Sequence, residues 1–456
     1  MHLKLRNFGV IKEADIELDA ITVIAGENST GKSTVGKALY AIVTGLSETT
    51  PLKIFEKKVG SIFRESRMIR SRISLDEQIE QYLSKIDAVV DVTLDELDGF
   101  NNANISDHQL NESTQEFNRA IMDHIEQMIK YQSKKNKDDQ HSERLNKYLD
   151  MIKEIINRPL DDISLKYSVL QKIFENEFSA QINHLLRPDE SAEVIFQEVN
   201  ENKVELYFEK HKIKNSSSID INREFVSPIY IDNPFVMDNV GIGGGRFLFP
   251  FNTNYNHTNR LLRLLRNMDM VKEDIFIKER TEEIINEILA NVLQGEVKSD
   301  GNKKYFQMEM NDQPVQLEVA NLSTGMKSFS LLSMLKNSGA FRELEYIILD
   351  EPEIHLHPDW QLKYAELIIL LSKHFDMKVL ITSHSPYFIE AIELFSKKHN
   401  IDDRTKYYKA IPTQSSGHNS SRIVDFTNDL SEIYDDLANA MFNLEELRDS
   451  LDEGVD

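Results

Sequence analysis

The chain has 456 residues, with 76 acidic side chains against 53 basic ones, a net charge of −23 and no cysteine. Lack of cysteine excludes disulfides, thiolate zinc centres and a cysteine nucleophile, and lack of any apolar run of about 18 residues excludes a helical membrane span. The length suits two or three domains with a large core, no secretion signal is read at the start, a cytoplasmic protein is the expectation, and so acidic a chain can meet nucleic-acid phosphates only through a local basic patch.

Strands are expected near 2–8, 14–19 and 21–25. The run Ala20-Ile21-Thr22-Val23-Ile24-Ala25 is short, apolar and β-branched, so it reads as a buried strand. It leads into Gly26-Glu27-Asn28-Ser29-Thr30-Gly31-Lys32-Ser33, a complete G-x-x-x-x-G-K-[ST] phosphate loop. Val35 to Ile42 reads as the helix that follows, which is the context this motif requires. The loop backbone curls so that its N–H groups face the phosphates, drawing Gly26, Asn28, Ser29, Thr30, Gly31 and Thr34 into nucleotide binding. The helix N-terminus adds its positive end. Lys32 is expected to reach the β- and γ-phosphates of ATP, and Ser33 to hold Mg²⁺.

From residue 47 the composition turns polar and helix-favouring. Ser74 to Ile86 and Ser113 to Ile156 carry apolar residues at helical spacing, interrupted by the charged run Lys134 to Gln140. The spacing is no sustained heptad, so a compact helical insertion is expected over 47–190 rather than a long coiled coil. Lys53, Lys57, Lys58, Arg64, Arg67, Arg70 and Arg72, with Phe55 and Phe63 between them, form a possible basic surface for nucleic acid. Arg260, Arg263 and Arg266 form another. A solvated helix face is the plainer reading of both sets.

Val194–Val199 and Val204–Phe208 flank Asn200 to Lys203 as a hairpin, and Tyr305–Met310 with Val315–Val319 form a second one turning at Asn311-Asp312. Ile229 to Pro234 is an apolar strand entering a polar turn, where Asp232 or Asn233 is placed to touch Mg²⁺ or water. Gly241 to Gly245 lacks a lysine and a strand-to-helix setting, so it is no second phosphate loop.

Leu322-Ser323-Thr324-Gly325 opens a helix over Met326 to Leu335. Its hydroxyl and N–H groups suit an anion, or a plain N-cap. Tyr346 to Leu349 is a buried strand ending in Asp350-Glu351-Pro352. Asp350 at the strand tip suits Mg²⁺, and Glu351 suits the orientation and deprotonation of a water. A further strand, Lys378 to Thr382, leads to His384, whose imidazole can bond a γ-phosphate oxygen. His355 and His357 have no third metal partner in view, and Trp360 reads as packing. Strands near 405–410 and 421–425 and an acidic helix over Asp429 to Leu451 close the chain.

With these motifs in this order, the chain resembles ABC-type ATPases of the chromosome-maintenance (SMC), RecF and OLD branch. Leu3 to Ile11 is similar to that branch's first strand, and Asp350-Glu351-Pro352-Glu353-Ile354-His355-Leu356-His357-Pro358 to its acidic-strand motif. Within the branch it looks most like the ATPase subunits of bacterial anti-phage systems such as Septu, PARIS and some retrons. The resemblance covers 1–46 and 220–410. It implies that Ser323 and Gly325 are donated to a second copy's nucleotide, that Glu351 is the catalytic base and His384 the switch histidine, and that Glu353 to Pro358 crosses the dimer seam. The signature departs from the transporter pattern in reading Ser-Thr-Gly-Met, and no glutamine-bearing loop is found.

The expected fold is therefore α/β: an ABC-type ATPase head, a mixed sheet with flanking helices, carrying a large helical insertion. Its parts are expected at 1–46, 47–190, 191–410 and 411–456. The expected function is an ATP- and Mg²⁺-dependent ATPase that forms a homodimer or larger homo-oligomer and controls a separate nuclease or toxin in phage defence. A DNA-repair ATPase, a non-catalytic ATP-bound scaffold and a transporter ATPase are the alternatives. Only about 70 residues follow His384, too few for the metal-dependent nuclease domain of OLD-type proteins.

Overall fold

The computed structural model describes residues 1–73, 75–101, 106–134, 140–198, 202–240, 256–267, 280–300, 303–415 and 418–452. The chain opens with β1 (His2–Phe8), β2 (Ile11–Glu17), β3 (Ile21–Ala25) and α1 (Lys32–Glu48). Five helices follow: α2 (Pro51–Arg72), α3 (Glu77–Asn101), α4 (Asp107–Lys134), α5 (Gln140–Asn157) and α6 (Ile163–Phe178). Then come β4 (Ala192–Gln197), β5 (Lys203–Glu209), β6 (Lys212–Ile213), β7 (Ser218–Asp220) and β8 (Ile229–Ile231), a 3-10 turn over Pro234–Asn239, α7 (His257–Asn267) and α8 (Arg280–Leu293). The last third holds β9 (Gly295–Asp300), β10 (Lys303–Met310), β11 (Gln313–Glu318), α9 (Thr324–Asn337), α10 (Ala340–Glu343), β12 (Tyr346–Asp350), α11 (Pro358–Phe375), β13 (Lys378–Ser383), α12 (Pro386–Lys398), β14 (Thr405–Ser415), β15 (His418–Asp425) and α13 (Ser431–Asp452).

Among the described residues the main sheet has twelve strands in the order β6-β5-β4-β1-β2-β15-β14-β3-β13-β12-β8, with β7 beside β5. Strands β14, β3, β13, β12 and β8 run parallel. β3, β12 and β8 are largely apolar because both faces are covered, as every residue of β3 is. β1 instead alternates, with Leu3, Leu5 and Phe8 turned inward. Helix starts follow short-range chemistry: Ser323, His357 and Ser385 cap α9, α11 and α12 through their side chains. Prolines open α11 and α12.

The expected hairpins form: β4 pairs with β5, and β10 with β11. Asn311 and Asp312 both take positive φ (52° and 60°), the twist a two-residue hairpin turn needs. β9 extends that hairpin to a three-stranded sheet, a strand the sequence reading did not anticipate. The boundary expected at 410/411 falls inside β14, and the β14–β15 hairpin lies between β2 and β3 in the main sheet. Those pairings join the two ends of the chain, Thr405 with Ile21 and Ser421 with Ile11, so nothing local announces them. Gly241 to Gly245 and the break at 135–139 lie outside the described residues.

The chain divides into two compact units. Among the described residues, those in 1–47, 170–240 and 256–452 form one, and those in 48–169 the other. The first unit thus takes in 170–190, which the sequence reading had assigned to the insertion. Its core joins Ile21, Val23, Ile347, Leu349, Val379 and Ile381 of the parallel strands to Phe329, Leu332 and Leu367 of the helices.

The second unit is helical, its core built from Phe55, Ile62, Leu83, Phe117, Ile121, Ile125 and Leu149. Several of its cations are engaged within their own unit. Lys58 is buried, donates to the Ile156 carbonyl (2.5 Å), and burial pushes its ammonium down to about 8. Arg70 bonds Asp87 (2.5 Å) and Glu80 (2.7 Å). Lys53 and Lys57 meet Glu56 and Glu48, and Arg67 lies over the Phe63 ring. Of the basic residues expected to meet nucleic acid, Lys53, Lys57 and Arg70 are thus paired with carboxylates and Lys58 is buried, whereas Arg64, Arg67 and Arg72 stay exposed. Among the described residues no helix is long and apolar enough to cross a membrane.

Ile125 is fully buried in the helical core. Ile125→Ala is expected to lower unfolding free energy by about 2–5 kcal/mol, read from urea denaturation followed by circular dichroism; a loss below about 1 kcal/mol would contradict this packing.

Candidate functional site

Register decides where the motifs end up. Ile24 of β3 pairs with Thr382 of β13, which pairs in turn with Asp350 of β12. The carboxyl ends of three neighbouring parallel strands are therefore level. That edge is where open α/β sheets bind ligands.

The loop after β3 turns on Ser29 (φ +64°) and Gly31 (φ +87°). A Cβ on Gly31 would stand 2.5 Å from Ile11 Cδ1 and 2.7 Å from Val10 Cγ2, so no side chain fits there. Thr30 donates its hydroxyl to the Glu27 carbonyl (2.7 Å), and Thr34 N–H to the Gly31 carbonyl (3.0 Å). Asn28 and Ser29 are exposed at the loop tip. α1 starts at Lys32, three residues earlier than the apolar pattern from Val35 suggested, because the motif's own polar residues form its first turn. Lys32 Nζ is buried and donates to the carbonyls of Gly26 and Glu27, each at 2.8 Å.

Ser33 Oγ donates to Asp350 Oδ1 (3.0 Å) across 317 positions of sequence. Thr382 donates its hydroxyl to the same oxygen. The Tyr230 hydroxyl donates to Oδ2 at 2.8 Å. The phenol's pKa is raised well above its ordinary value, first by burial and then by the Asp350 charge. A hydroxyl beside a carboxylate oxygen forms the hard-oxygen donor set that Mg²⁺ takes, so these residues fit the ion. Sequence reasoning missed Tyr230 and Thr382, both hidden inside apolar strand patterns.

Glu351 takes left-handed backbone (φ +49°), held by its N–H donating to Thr382 O and Oγ1, both at 3.1 Å. One carboxylate oxygen lies 3.2 Å from Lys32 Nζ, and the other 3.2 Å from His384 Nδ1. The two residues expected to do chemistry are thus in contact, and both meet the phosphate-loop lysine's neighbourhood. Glu353 is buried rather than presented outward: its Oε1 accepts from Ser383 Oγ (2.5 Å) and from His384 N–H (3.2 Å). Burial pushes its carboxyl above the ordinary range, against the lowering effect of the Ser383 bond. Beyond it Ile354 is exposed, His355 stands edge-on to Phe235 (5.6 Å), and His357 accepts from Asp359 N–H at the start of α11.

Ser323 caps α9, its Oγ accepting from Met326 N–H (3.4 Å). A Cβ on Gly325 would come within 2.8 Å of the Trp360 ring, which packs edge-on against Phe329 (5.7 Å). Trp360 is thus packing that requires the signature glycine. Among the described residues, no hydrogen bond or ion pair links Ser323 or Gly325 to the cluster around Lys32 and Asp350. Asp232 and Asn233 are committed within the chain. Asp232 Oδ2 lies 3.0 Å from His257 Nε2, and Asn233 Oδ1 accepts from Phe235 N–H (2.8 Å). Arg266 of the second basic group donates to the Asn239 carbonyl at 2.7 Å.

A family model described as AAA ATPase domain matches residues 1–389. Septu protein PtuA of Bacillus thuringiensis is 31% identical over 129 residues, which are 26% of this chain and 31% of that protein. The chain therefore matches less than a third of that relative's length. Among solved structures, an SMC head bound to the C-terminal winged-helix domain of ScpA aligns at 12% identity and a TM-score of 0.42, covering 94% of this chain and 98% of the other. The SMC head domain from Thermotoga maritima aligns at 12% identity and 0.36, covering 93% and 97%.

Glu353 binds its proton more tightly in the folded chain than in the unfolded one, so folding takes up a proton between the two pKa values and stability declines as pH rises through that window. Glu353→Gln is expected to flatten this decline in the melting temperature measured against pH. An unchanged slope would show that the carboxyl is not held neutral.

Proposed function

This chain belongs to the AAA ATPase domain family, and from that premise we propose that it is an ATP-hydrolysing switch that closes around nucleotide as a homodimer or larger homo-oligomer and controls a separate nuclease or toxin in phage defence. One observation carries the hydrolytic reading. Lys32, Ser33, Asp350, Glu351 and His384 come from three separate segments yet share contacts of 3.0–3.2 Å at one sheet edge.

The roles follow from those contacts. Lys32 is a buried cation whose present oxygen partners, two carbonyls and Glu351, can yield to phosphate oxygens. Ser33 and Asp350 would hold Mg²⁺, which when bound draws charge off the phosphates. Glu351 accepts the proton of the attacking water at the carboxylate oxygen that His384 faces, so the imidazole can take up the change in charge. The backbone of the loop and the N-terminus of α1 supply fixed N–H dipoles to the phosphates.

The trans arrangement is supported by α9. Its N-terminus is capped by Ser323, opens with Gly325 beneath Trp360, and carries no acidic residue in its first turn. A second copy's phosphates would complete it. The effector reading is supported by the stretch similar to Septu protein PtuA and by the helical unit, a body with its own core. The internal pairing of Lys58, Arg70, Lys53 and Lys57 weighs against direct action on DNA.

Glu351→Gln is expected to keep ATP binding while turnover falls on the order of 100- to 10,000-fold, and Lys32→Ala to lose nucleotide binding. Wild-type turnover by Glu351→Gln would refute the base assignment. A mixture of Ser323→Arg with Lys32→Ala is expected to recover phosphate release that neither variant shows alone. Failure to complement, with subunit exchange verified by mass photometry, would refute donation in trans.

A further inference from the structure

His257 stands at the first turn of α7 with its imidazole buried between two carboxylates from different elements. Nδ1 lies 2.6 Å from Glu177 Oε2, near the end of α6, and Nε2 lies 3.0 Å from Asp232 Oδ2, just past β8. The backbone N–H of His257 also donates to Glu177 Oε1 at 2.8 Å. An imidazole with a carboxylate at each nitrogen is a double donor, which is the protonated form. Burial by itself would lower the pKa, but the two carboxylates hold it up, at about 9.

The clamp is also a wall. Its ring packs edge-on against Tyr230, centroids 4.4 Å apart, and Tyr40 of α1 closes on the same pair at 5.9 and 6.2 Å. Tyr230 has one polar atom, and that atom is on Asp350 Oδ2. Asp232 follows Tyr230 by two residues, so the ion pair at Asp232 fixes the end of the strand from which Tyr230 projects. His257 and Glu177 are buried while Asp232 reaches the surface, and burying a charged pair costs more than packing apolar groups of equal size.

We propose that His257 is a positioning residue for the magnesium carboxylate: bridging Glu177 and Asp232, it locks the end of β8 so that Tyr230 pins Asp350 Oδ2 and leaves Oδ1 beside Ser33 for the ion. This rests on the reading of Ser33 and Asp350 as the magnesium seat. The clamp acts in series with Tyr230. Loss of either frees the same carboxylate, and loss of both frees it no further.

The test measures affinity for a fluorescent ATP analogue as a function of Mg²⁺ concentration in the full-length wild type, His257→Gln, Tyr230→Phe and the double variant, with turnover measured in parallel. Each single variant is expected to raise the half-saturating Mg²⁺ about 10-fold or more, with affinity measured in EDTA little changed. The double variant is expected to match the stronger single one, because the two act on one group. Tyr230→Phe removes one oxygen from the clamp's output and keeps the ring packing, so it reads the same effect should His257→Gln fold poorly. Unshifted Mg²⁺ dependence in Tyr230→Phe, or multiplying effects in the double variant, would overturn the clamp while leaving the nucleotide site intact. Wild-type protein without Mg²⁺-dependent nucleotide binding would instead overturn the nucleotide-site reading, and the clamp with it.

Discussion

The hydrogen-bond ladder joining β3, β13 and β12 is the constraint from which the rest of the site follows. Parallel strands in one register must end together, so Ala25, Ser383 and Asp350 fall at one edge whatever lies between them in sequence. Thr382 reinforces the ladder from its side chain, donating to Asp350 and accepting from the Glu351 N–H. A slip of one residue in β13 would turn that hydroxyl to the opposite face and release both acidic residues. Apolar burial on both faces of these strands sets the register, and the chemistry inherits its geometry from that packing.

Charge is handled in the same local manner. The chain is acidic overall, yet the cations that matter are paired where they stand. Lys32 is enclosed by oxygens. Arg223 bridges Glu198 and Glu345 and lies over Phe225. Lys409 meets Glu432 and Asp436. Net charge therefore describes the protein's overall field rather than any surface of it, and a field of this sign repels phosphate backbones within about a Debye length.

What could be read from sequence was what is local. The phosphate loop is eight contiguous residues whose spacing is its geometry, and β3, β12 and β13 announce themselves as unbroken apolar runs. Helix caps at Ser323 and Ser385 sit one residue ahead of the turns they close. What escaped was non-local: β14 and β15 pair with strands from the opposite end of the chain, and β9 lacks alternation strong enough to mark it. The site's supporting residues escaped for the same reason. Tyr230 meets Asp350 across 120 positions, and His257 meets Glu177 across 80, distances at which no periodicity survives. For the basic run at 53–72, counting cations in a sequence leaves out the acidic partners that the fold brings to some of them, such as Glu80 and Asp87 beside Arg70.

The left-handed backbone at Glu351 has a consequence for how this protein can change over generations. A glutamate held there costs about 1–2 kcal/mol relative to a residue that favours the conformation. Glycine or asparagine at that position would relax the chain and remove the carboxylate in one step. Any lineage, or any laboratory selection, that rewards heat resistance without also demanding turnover will find this replacement early. Under the proposed role of Glu351 as the base, that replacement would leave an inert nucleotide binder, and a need for hydrolysis would be what holds the strained residue in place.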